Sequence, residues 1–291
     1  MKKYLSHAVT VVTFMTASCS NEVLDYLPTA DDSIKIVASI ASQTRAPQLT
    51  TDGSGSFSQG DKMTLFLAES DMNGMSVGYE YGSGILTWSS LGLSESEAQI
   101  TLAACYPQQD NIQNGIFEFS PLTASDKDLL LAPAQSVTAG TSEAVYLNFN
   151  HALHRLDLSF TPGNSYTNED IASLSITLNA KATCVVDGIQ GKIKEVKNTT
   201  GEYTETGTKV SFYLIPQHTA DVTLNVNIGS DKKILTLDRL LEQLDSSQTE
   251  LDGGKRCTLN LKVSREGITV EGGSISAWGD QVIADGEIVL G

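Results

Sequence analysis

The residues in this sequence best suited to chemistry are two histidines. His151 and His154 form an HxxH pattern, which can hold a metal on a helix because positions three apart share a helical face. The surrounding sequence VYLNFNHALHRLDLSF instead predicts a strand, where positions three apart face opposite sides. No Cys or Glu nearby completes a set of ligands. We therefore predict no metal site and interpret the histidines as packing residues, at a bulge or at a junction between two strands.

Carboxylate pairs and a glycine-rich loop are the other candidates for chemistry. The pairs are Asp31 with Asp32, Asp126 with Asp128, and Asp285 with Glu287. Such pairs are expected by chance in an acidic chain, and no nucleophile or base accompanies them. The loop at residues 53–56 lacks the Lys-Ser/Thr and the helix that a phosphate-binding loop requires. We predict no catalytic residues, no cofactor and no enzymatic activity.

Cys19, near the N-terminus, is a candidate for covalent modification by other proteins. Residues 1–18 have two lysines and a short apolar run, and Ala17 and Ser18 then precede Cys19 in the pattern of a bacterial lipobox. Cleavage before Cys19 frees its thiol for acylation, for example by palmitate, and several acyl chains give stable membrane attachment. The alternative is an ordinary secretory signal in which Cys19 has no role. We interpret residues 1–18 as a lipoprotein signal peptide and the polar residues 19–32 as a tether.

Arg45 is a candidate site for proteolytic processing. No other Lys or Arg lies between Lys35 and Lys62, and the next residue, Ala46, is compatible with trypsin-like cleavage. The residue type alone fits an ordinary surface arginine better than a cut site.

Composition restricts the class of partner. The net charge of −16 repels phosphate backbones, so we predict no nucleic-acid partner. Hydrophobic residues make up 40% of the 291 positions, enough for one large core or two smaller ones. Cys105, Cys184 and Cys257 lie in strand-like contexts, and we interpret them as buried thiols.

Alternating apolar residues predict strands along most of the chain. In the first strand, from Ile34, even-numbered residues face one side and odd-numbered residues the other, and Pro47 limits its extent. Short strands separated by Gly, Pro, Asn and Asp favour antiparallel sheets over βαβ units. Residues 137–143 are the best linker candidate. We predict an all-β fold of two antiparallel β-sandwich domains in tandem, residues 33–142 and 143–291.

The order of several short motifs resembles the fimbrillin family of anchored pilus subunits. The motifs are the lipobox through Cys19, a first strand ending in Thr44-Arg45-Ala46, Phe57-Ser58-Gln59-Gly60-Asp61-Lys62, Leu147-Asn148-Phe149-Asn150-His151-Ala152-Leu153, the block from Gly254 to Val263, and Ile275-Ser276-Ala277-Trp278. Cys257 stands near a position that is often aromatic in that family.

The resemblance implies a lipid-anchored fimbrial subunit at the outer membrane and cell surface. It implies two transthyretin- or immunoglobulin-like β-sandwich domains and a protease cut after Arg45. Removal of residues 34–44 would then open a groove that accepts a strand of another fimbrial subunit by β-strand addition. The donor would come from residues 274–290. The family also includes tip and anchor subunits that are not cut.

The alternative function is a surface lipoprotein that binds glycans, on the host or on other bacteria, and never polymerises. Trp88, Trp278, Tyr79 and Tyr81 would supply the sugar contacts in that case, although tryptophans at the ends of apolar strands more often anchor a core.

Overall fold

The computed structural model describes residues 32–40, 56–69, 74–93, 98–244 and 246–278. Within these ranges the chain forms nineteen β-strands and two short α-helices, which confirms the predicted all-β class. The described residues belong to one compact unit that begins at Asp32. No helix in this part of the chain is long and apolar enough to cross a membrane.

The strands follow one another closely along the chain. They are β1 (Ile36–Ile40), β2 (Lys62–Ala68), β3 (Met75–Glu80), β4 (Gln99–Tyr106), β5 (Ile116–Phe119), β6 (Leu130–Thr138), β7 (Val145–His151), β8 (His154–Pro162), β9 (Ser175–Lys181), β10 (Cys184–Asp187), β11 (Lys192–Val196), β12 (Thr200–Thr206), β13 (Lys209–Leu214), β14 (Gln217–His218), β15 (Thr223–Ile228), β16 (Asp231–Thr236), β17 (Glu250–Leu251), β18 (Lys255–Val263) and β19 (Ile268–Ala277). The helices are α1 (Asn168–Ile171) and α2 (Leu237–Glu242).

Six strands form one sheet in the order β1-β7-β6-β4-β2-β3. All neighbouring pairs are antiparallel except β1 and β7, which run parallel. One face of the sheet carries a core that includes Met63 and Leu65, and the other face carries Phe66 and Cys105 in a second core. Strand β2 is apolar throughout because it is covered on both faces, as its sequence KMTLFLA predicts.

A three-stranded sheet, β11-β10-β5, contributes to the second core. Strands β10 and β11 come from a later part of the chain than β5, with which β10 pairs. The turn after β10 lies against the six-stranded sheet: a Cβ atom at Gly188 would stand 2.3 Å from the ring of Phe66. Only glycine therefore allows this approach.

Two four-stranded sheets share a third core. Their orders are β12-β9-β15-β16 and β13-β8-β18-β19. Alternating residues such as Leu156 and Leu158 of β8 meet Ile176 and Leu178 of β9 in this core, and α2 adds three buried leucines. The alternating sequences that predicted strands in the second half of the chain thus point into one apolar layer.

The sheets cross the predicted division of the chain between residues 142 and 143. Strand β7 follows that division but pairs with β1 and β6, so residues 145–151 belong to the six-stranded sheet. Strand β10 returns to pair with β5. The tandem arrangement of two sandwich domains stays a prediction, while the observed pairing joins strands from both sides of residue 143.

Three local features of the fold either settle an alternative that the sequence left open or differ from what its pattern favours. Two strands, not one bulged strand, account for the change of phase between His151 and His154, because β7 ends at the first and β8 begins at the second. The glycine-rich sequence GYEYGSG at residues 78–84 favours a turn, yet β3 continues to Glu80 and pairs with β2. Strand β6 continues through Pro133, because the pairing with β4 shifts register there and the missing N–H falls in the irregularity.

Candidate functional site: the first strand and its groove

The predicted first strand lies at the edge of the six-stranded sheet. Strand β1 pairs with β7 from Ile36 opposite Val145 to Ile40 opposite Phe149. The backbone N–H of Val145 donates to the carbonyl of Lys35 over 2.7 Å. One neighbouring strand therefore holds the backbone of β1.

The two faces of β1 differ in burial as its sequence predicts. Ile34 and Ala38 are buried in the core, and Ile36 and Ile40 pack against it. On the opposite face Val37 is 42% exposed. The even-numbered side chains thus close an apolar groove, while the odd-numbered ones face solvent.

The segment around Trp88 holds the start of β1. The N–H of Ile34 donates to the carbonyl of Leu86 over 2.8 Å, and the N–H of Trp88 donates to the carbonyl of Asp32 over 3.1 Å. The Trp88 side chain is fully buried, and its Nε1 donates to the carbonyl of Thr141 over 2.9 Å. This indole therefore anchors the loop that receives the chain before β1.

Strand β7 depends on β1 for most of its ladder. The described pairing of β7 with β6 covers only Asn150 and His151, at the end of β7. Further along, the Gln135 side chain donates from Nε2 to the carbonyl of Tyr146 over 2.8 Å. Residues 145–149 have β1 as their strand partner, so its removal would leave a five-residue edge and an apolar groove.

A pocket of about 320 Å³ lies at the end of β1. Ile40 and Ser56, the described residues that flank the segment containing Arg45, both line it. Asp126 and Asp128 also line it, although no role was predicted for this carboxylate pair. Burial and the neighbouring Asp126 carboxylate raise the pKa of Tyr106, another wall residue, to about 12, so the phenol stays protonated.

His151 and Trp278 form the inner wall of this pocket. Their rings are stacked, with centroids 3.9 Å apart and planes inclined by 6°. His151 Nδ1 lies 2.7 Å from Oδ2 of Asp128, which holds the imidazole in place. Because Trp278 follows β19, the stack connects the last described strand to the end of β7.

The second histidine of HxxH has separate surroundings. His154 Nδ1 lies 2.9 Å from the backbone carbonyl of Asp252, and burial lowers the pKa of the ring from its ordinary value. No group of three His, Cys, Asp or Glu residues that could hold a metal occurs within the described ranges. The two histidines thus occupy packing positions on two consecutive strands, as their sequence context predicts.

Arg155, beside the pocket, belongs to a buried charge cluster around Asp157. Arg155 Nε lies 2.9 Å from Oδ1 of Asp157, while Arg256 pairs with Oδ2 and the Ser211 hydroxyl donates to Oδ1. Burial opposes ionisation of Asp157, but the hydrogen bonds and the two guanidinium charges outweigh it and lower its pKa. The cluster stabilises the outer face of the sheet formed by β13, β8 and β18.

Most of the proposed glycan contacts are buried. Trp88 and Tyr79 belong to the first core, and Trp278 is 3% exposed. Tyr81 is partly buried and packs against the ring of Phe57. The tryptophans therefore anchor cores, as tryptophans at the ends of apolar strands more often do, and their burial does not support the alternative in which they bind sugars.

The remaining predicted positions divide into two groups. Cys105, Cys184 and Cys257 are free, buried thiols, as predicted, and burial raises the pKa of each to about 12. Cys19, Arg45 and Ala46 lie outside the described residues. The sequence did not reveal the pocket or the pairing of β1 with β7, although the apolar alternation of residues 145–149 signals a half-buried strand.

The family model described as fimbrillin-like matches residues 30–278 of this chain. A crystal structure from Bacteroides uniformis, provisionally named a cell adhesion protein, shares 16% identity at a TM-score of 0.64, over 86% of this chain and 99% of that one. A second, from Bacteroides ovatus and similarly named, shares 17% identity at a TM-score of 0.59, over 87% and 99%. These likenesses show the fold. No curated protein sequence matches the chain.

Proposed function

We propose that this chain, which belongs to the fimbrillin-like family, is a cell-surface adhesion or fimbrial subunit and not an enzyme. The observation that carries the proposal is the position of β1. It is a five-residue edge strand, it is paired in parallel with β7, and its apolar face closes a groove. A subunit that must later accept a foreign strand needs such a removable cover.

Processing after Arg45 would free β1 from the rest of the chain. Arg45 follows the last residue of β1 by five positions. Buried Ile34 contributes roughly 1.5–3 kcal/mol and the partly buried Ile36 and Ile40 contribute less each, so we expect a cut strand to stay bound until another strand replaces it. Cleavage therefore makes the strand exchangeable without opening the groove at once.

Donor-strand exchange supplies the replacement. A strand from another subunit would restore the ladder along residues 145–149 and refill the apolar groove. The donor would come from residues 274–290, of which the structure describes those up to Trp278. Lipidation at Cys19, after removal of residues 1–18, would anchor the precursor at the outer membrane, with residues 19–32 as the tether.

Limited proteolysis with an Arg-specific protease tests the processing step. The expected product has a new N-terminus at Ala46, while the rest of the chain stays folded. Arg265 lies in an exposed turn and Arg239 on the exposed side of α2, and both compete for the protease, so Arg239→Gln combined with Arg265→Gln isolates cleavage at the proposed position. Arg45→Gln is the matched negative variant.

Resistance of Arg45 in a folded protein would refute the cut site and favour an uncut tip or anchor subunit. A second measurement tests exchange itself: the cleaved protein is mixed with a synthetic peptide of residues 274–290. Release of the β1 fragment with uptake of the peptide is expected. Retention of the fragment at saturating peptide would contradict exchange.

A further inference from the structure

The C-terminal segment begins at the same pocket where β1 ends. Ile40 and Trp278, which precede the two undescribed segments, both line this pocket. Trp278 is stacked on His151 at the end of β7, and Ile40 is paired with Phe149, two residues earlier in the same strand. Residues 279–291 therefore start beside the end of the groove that β1 leaves.

We propose that residues 279–291 fill the groove of their own chain once β1 has been removed, and so close the subunit on itself. The inference rests on the proposed function, because β1 must leave first. It goes further by naming the first occupant of the groove and a step that precedes assembly. A segment that enters beside His151 runs toward Val145, and it therefore pairs antiparallel to β7, opposite to β1.

The segment is long enough for this path. Its thirteen residues span up to about 43 Å when extended, at roughly 3.3 Å per residue. From His151 back to Val145 the strand measures about 20 Å by the same rise. Several residues remain for the turn and for the site of Ile34 beyond β7.

The sequence of the segment matches a groove with one apolar face. One alternating set is wholly apolar or small: Val282, Ala284, Gly286, Ile288 and Leu290. The other set includes Asp285 and Glu287, which suit the solvent face. This is the same division between faces that β1 shows.

The register follows from the smallest position of the groove. Ala38 of β1 lies opposite Leu147. If the first three residues of the segment form the turn at the pocket, Gly286 takes the position of Ala38, where a larger side chain would meet the core. Ile288 then replaces Ile36, an equal apolar residue, opposite the start of β7.

Self-closure explains how a cut subunit protects its groove before assembly. A segment tethered this closely acts at an effective concentration on the order of millimolar. Micromolar free subunits therefore close on themselves before they meet one another, and the unpaired edge of β7 is covered. Assembly then requires a fibre end that displaces the segment.

A disulfide trap tests the inference in the full chain. The chain carries Cys19→Ser and a site-specific protease sequence inserted after Arg45. It is cut, unfolded, separated from the β1 fragment and refolded at micromolar concentration. In the first double variant, Asn148→Cys with Asp285→Cys, the proposed register places the two thiols opposite each other on the solvent face. In the second, Asn148→Cys with Val289→Cys, the segment's thiol lies four residues further along.

The expected product is an intramolecular disulfide in the first pair and little cross-linking in the second. Multimers linked between chains at micromolar concentration would overturn self-closure and leave strand exchange intact. Absence of any cross-link, together with failure to take up the peptide of residues 274–290, would overturn both self-closure and the proposed function.

Two neighbouring substitutions give a matched control within the segment. Ile288→Asp puts a carboxylate on the core-facing side and is expected to reduce the intramolecular disulfide about tenfold or more, since burying an unpaired charge is costly. Val289→Asp faces solvent and is expected to leave the yield unchanged. Equal effects of the two substitutions would overturn the proposed register.

Discussion

A carboxylate at residue 38 should detach β1 without a protease. Ala38 is 6% exposed and lies opposite the fully buried Leu147. Ala38→Asp places an unpaired charge in this apolar groove, at a cost of about 3 kcal/mol or more. Undocking of β1 relieves that cost without unfolding the sheet, because residues 145–149 are its only partner among the described strands. The matched control is Val37→Asp, one residue away on the exposed face, with an expected change within about 0.5 kcal/mol.

The undocking of β1 can be measured directly from the exchange rate of backbone amides, by hydrogen exchange with mass spectrometry. A cost of about 3 kcal/mol corresponds to roughly a hundredfold increase in the open population, because each 1.4 kcal/mol is tenfold. Exchange should accelerate in the peptide that covers β7 for Ala38→Asp and change little for Val37→Asp, with β9 as an internal reference in both. Unchanged exchange of β7 in Ala38→Asp, or equal acceleration by both variants, would refute the idea that the even-numbered face of β1 closes the groove.

Three further substitutions test the cores around this site. Asp157→Asn leaves two partly buried arginines without their carboxylate and should lower the free energy of unfolding by about 3 kcal/mol at neutral pH in a denaturant titration. Because folding lowers the pKa of Asp157, the stabilisation from this carboxylate is complete above the ordinary aspartate pKa and is lost as the pH falls through the folded value. The unfolding free energies of the wild type and of Asp157→Asn should therefore converge in acid. Gly188→Ala drives a methyl group into the ring of Phe66 and should lower the thermal midpoint by several degrees at a cost of about 1–3 kcal/mol, whereas Gly267→Ala, which has open space around it, should not. Trp88→Phe removes a buried hydrogen bond and leaves a gap, so an unfolding midpoint lowered by about 1–3 kcal/mol is expected, and an unchanged midpoint would contradict the anchoring role.

The sequence predicted the elements that are bounded by local signals. The sequence alternates or is apolar throughout at residues 62–68, 99–106 and 116–119, and each run ends at polar or turn residues, so these runs predict strands with the limits that β2, β4 and β5 have. The hairpin of β10 and β11 was not predicted. Its sequence includes KIKEV, which is mostly exposed and lacks the apolar alternation that marks a strand.

The candidate site depends on contacts between distant parts of the chain. Val37 pairs with Tyr146 across more than a hundred positions, and no local pattern encodes that partner or its parallel direction. The stacking of His151 on Trp278 likewise arises only after β7 and β19 have been placed. Residue types indicated a half-buried first strand, whereas the groove and the pocket at its end required the fold.

The parallel direction of β1 would favour the proposed exchange thermodynamically. Parallel pairs are slightly less stable per residue than antiparallel ones, and β1 is the one strand that pairs in parallel among the described strands of its sheet. A replacement that enters from the pocket pairs antiparallel with the same five residues of β7 and can fill the same apolar positions. In the proposed exchange, the precursor would hold a strand that a better-paired strand can replace, and the covalent link through Arg45 would keep it in place until cleavage. Cutting that link would remove the advantage of tethering, so the antiparallel strand would be favoured even with equal buried apolar area.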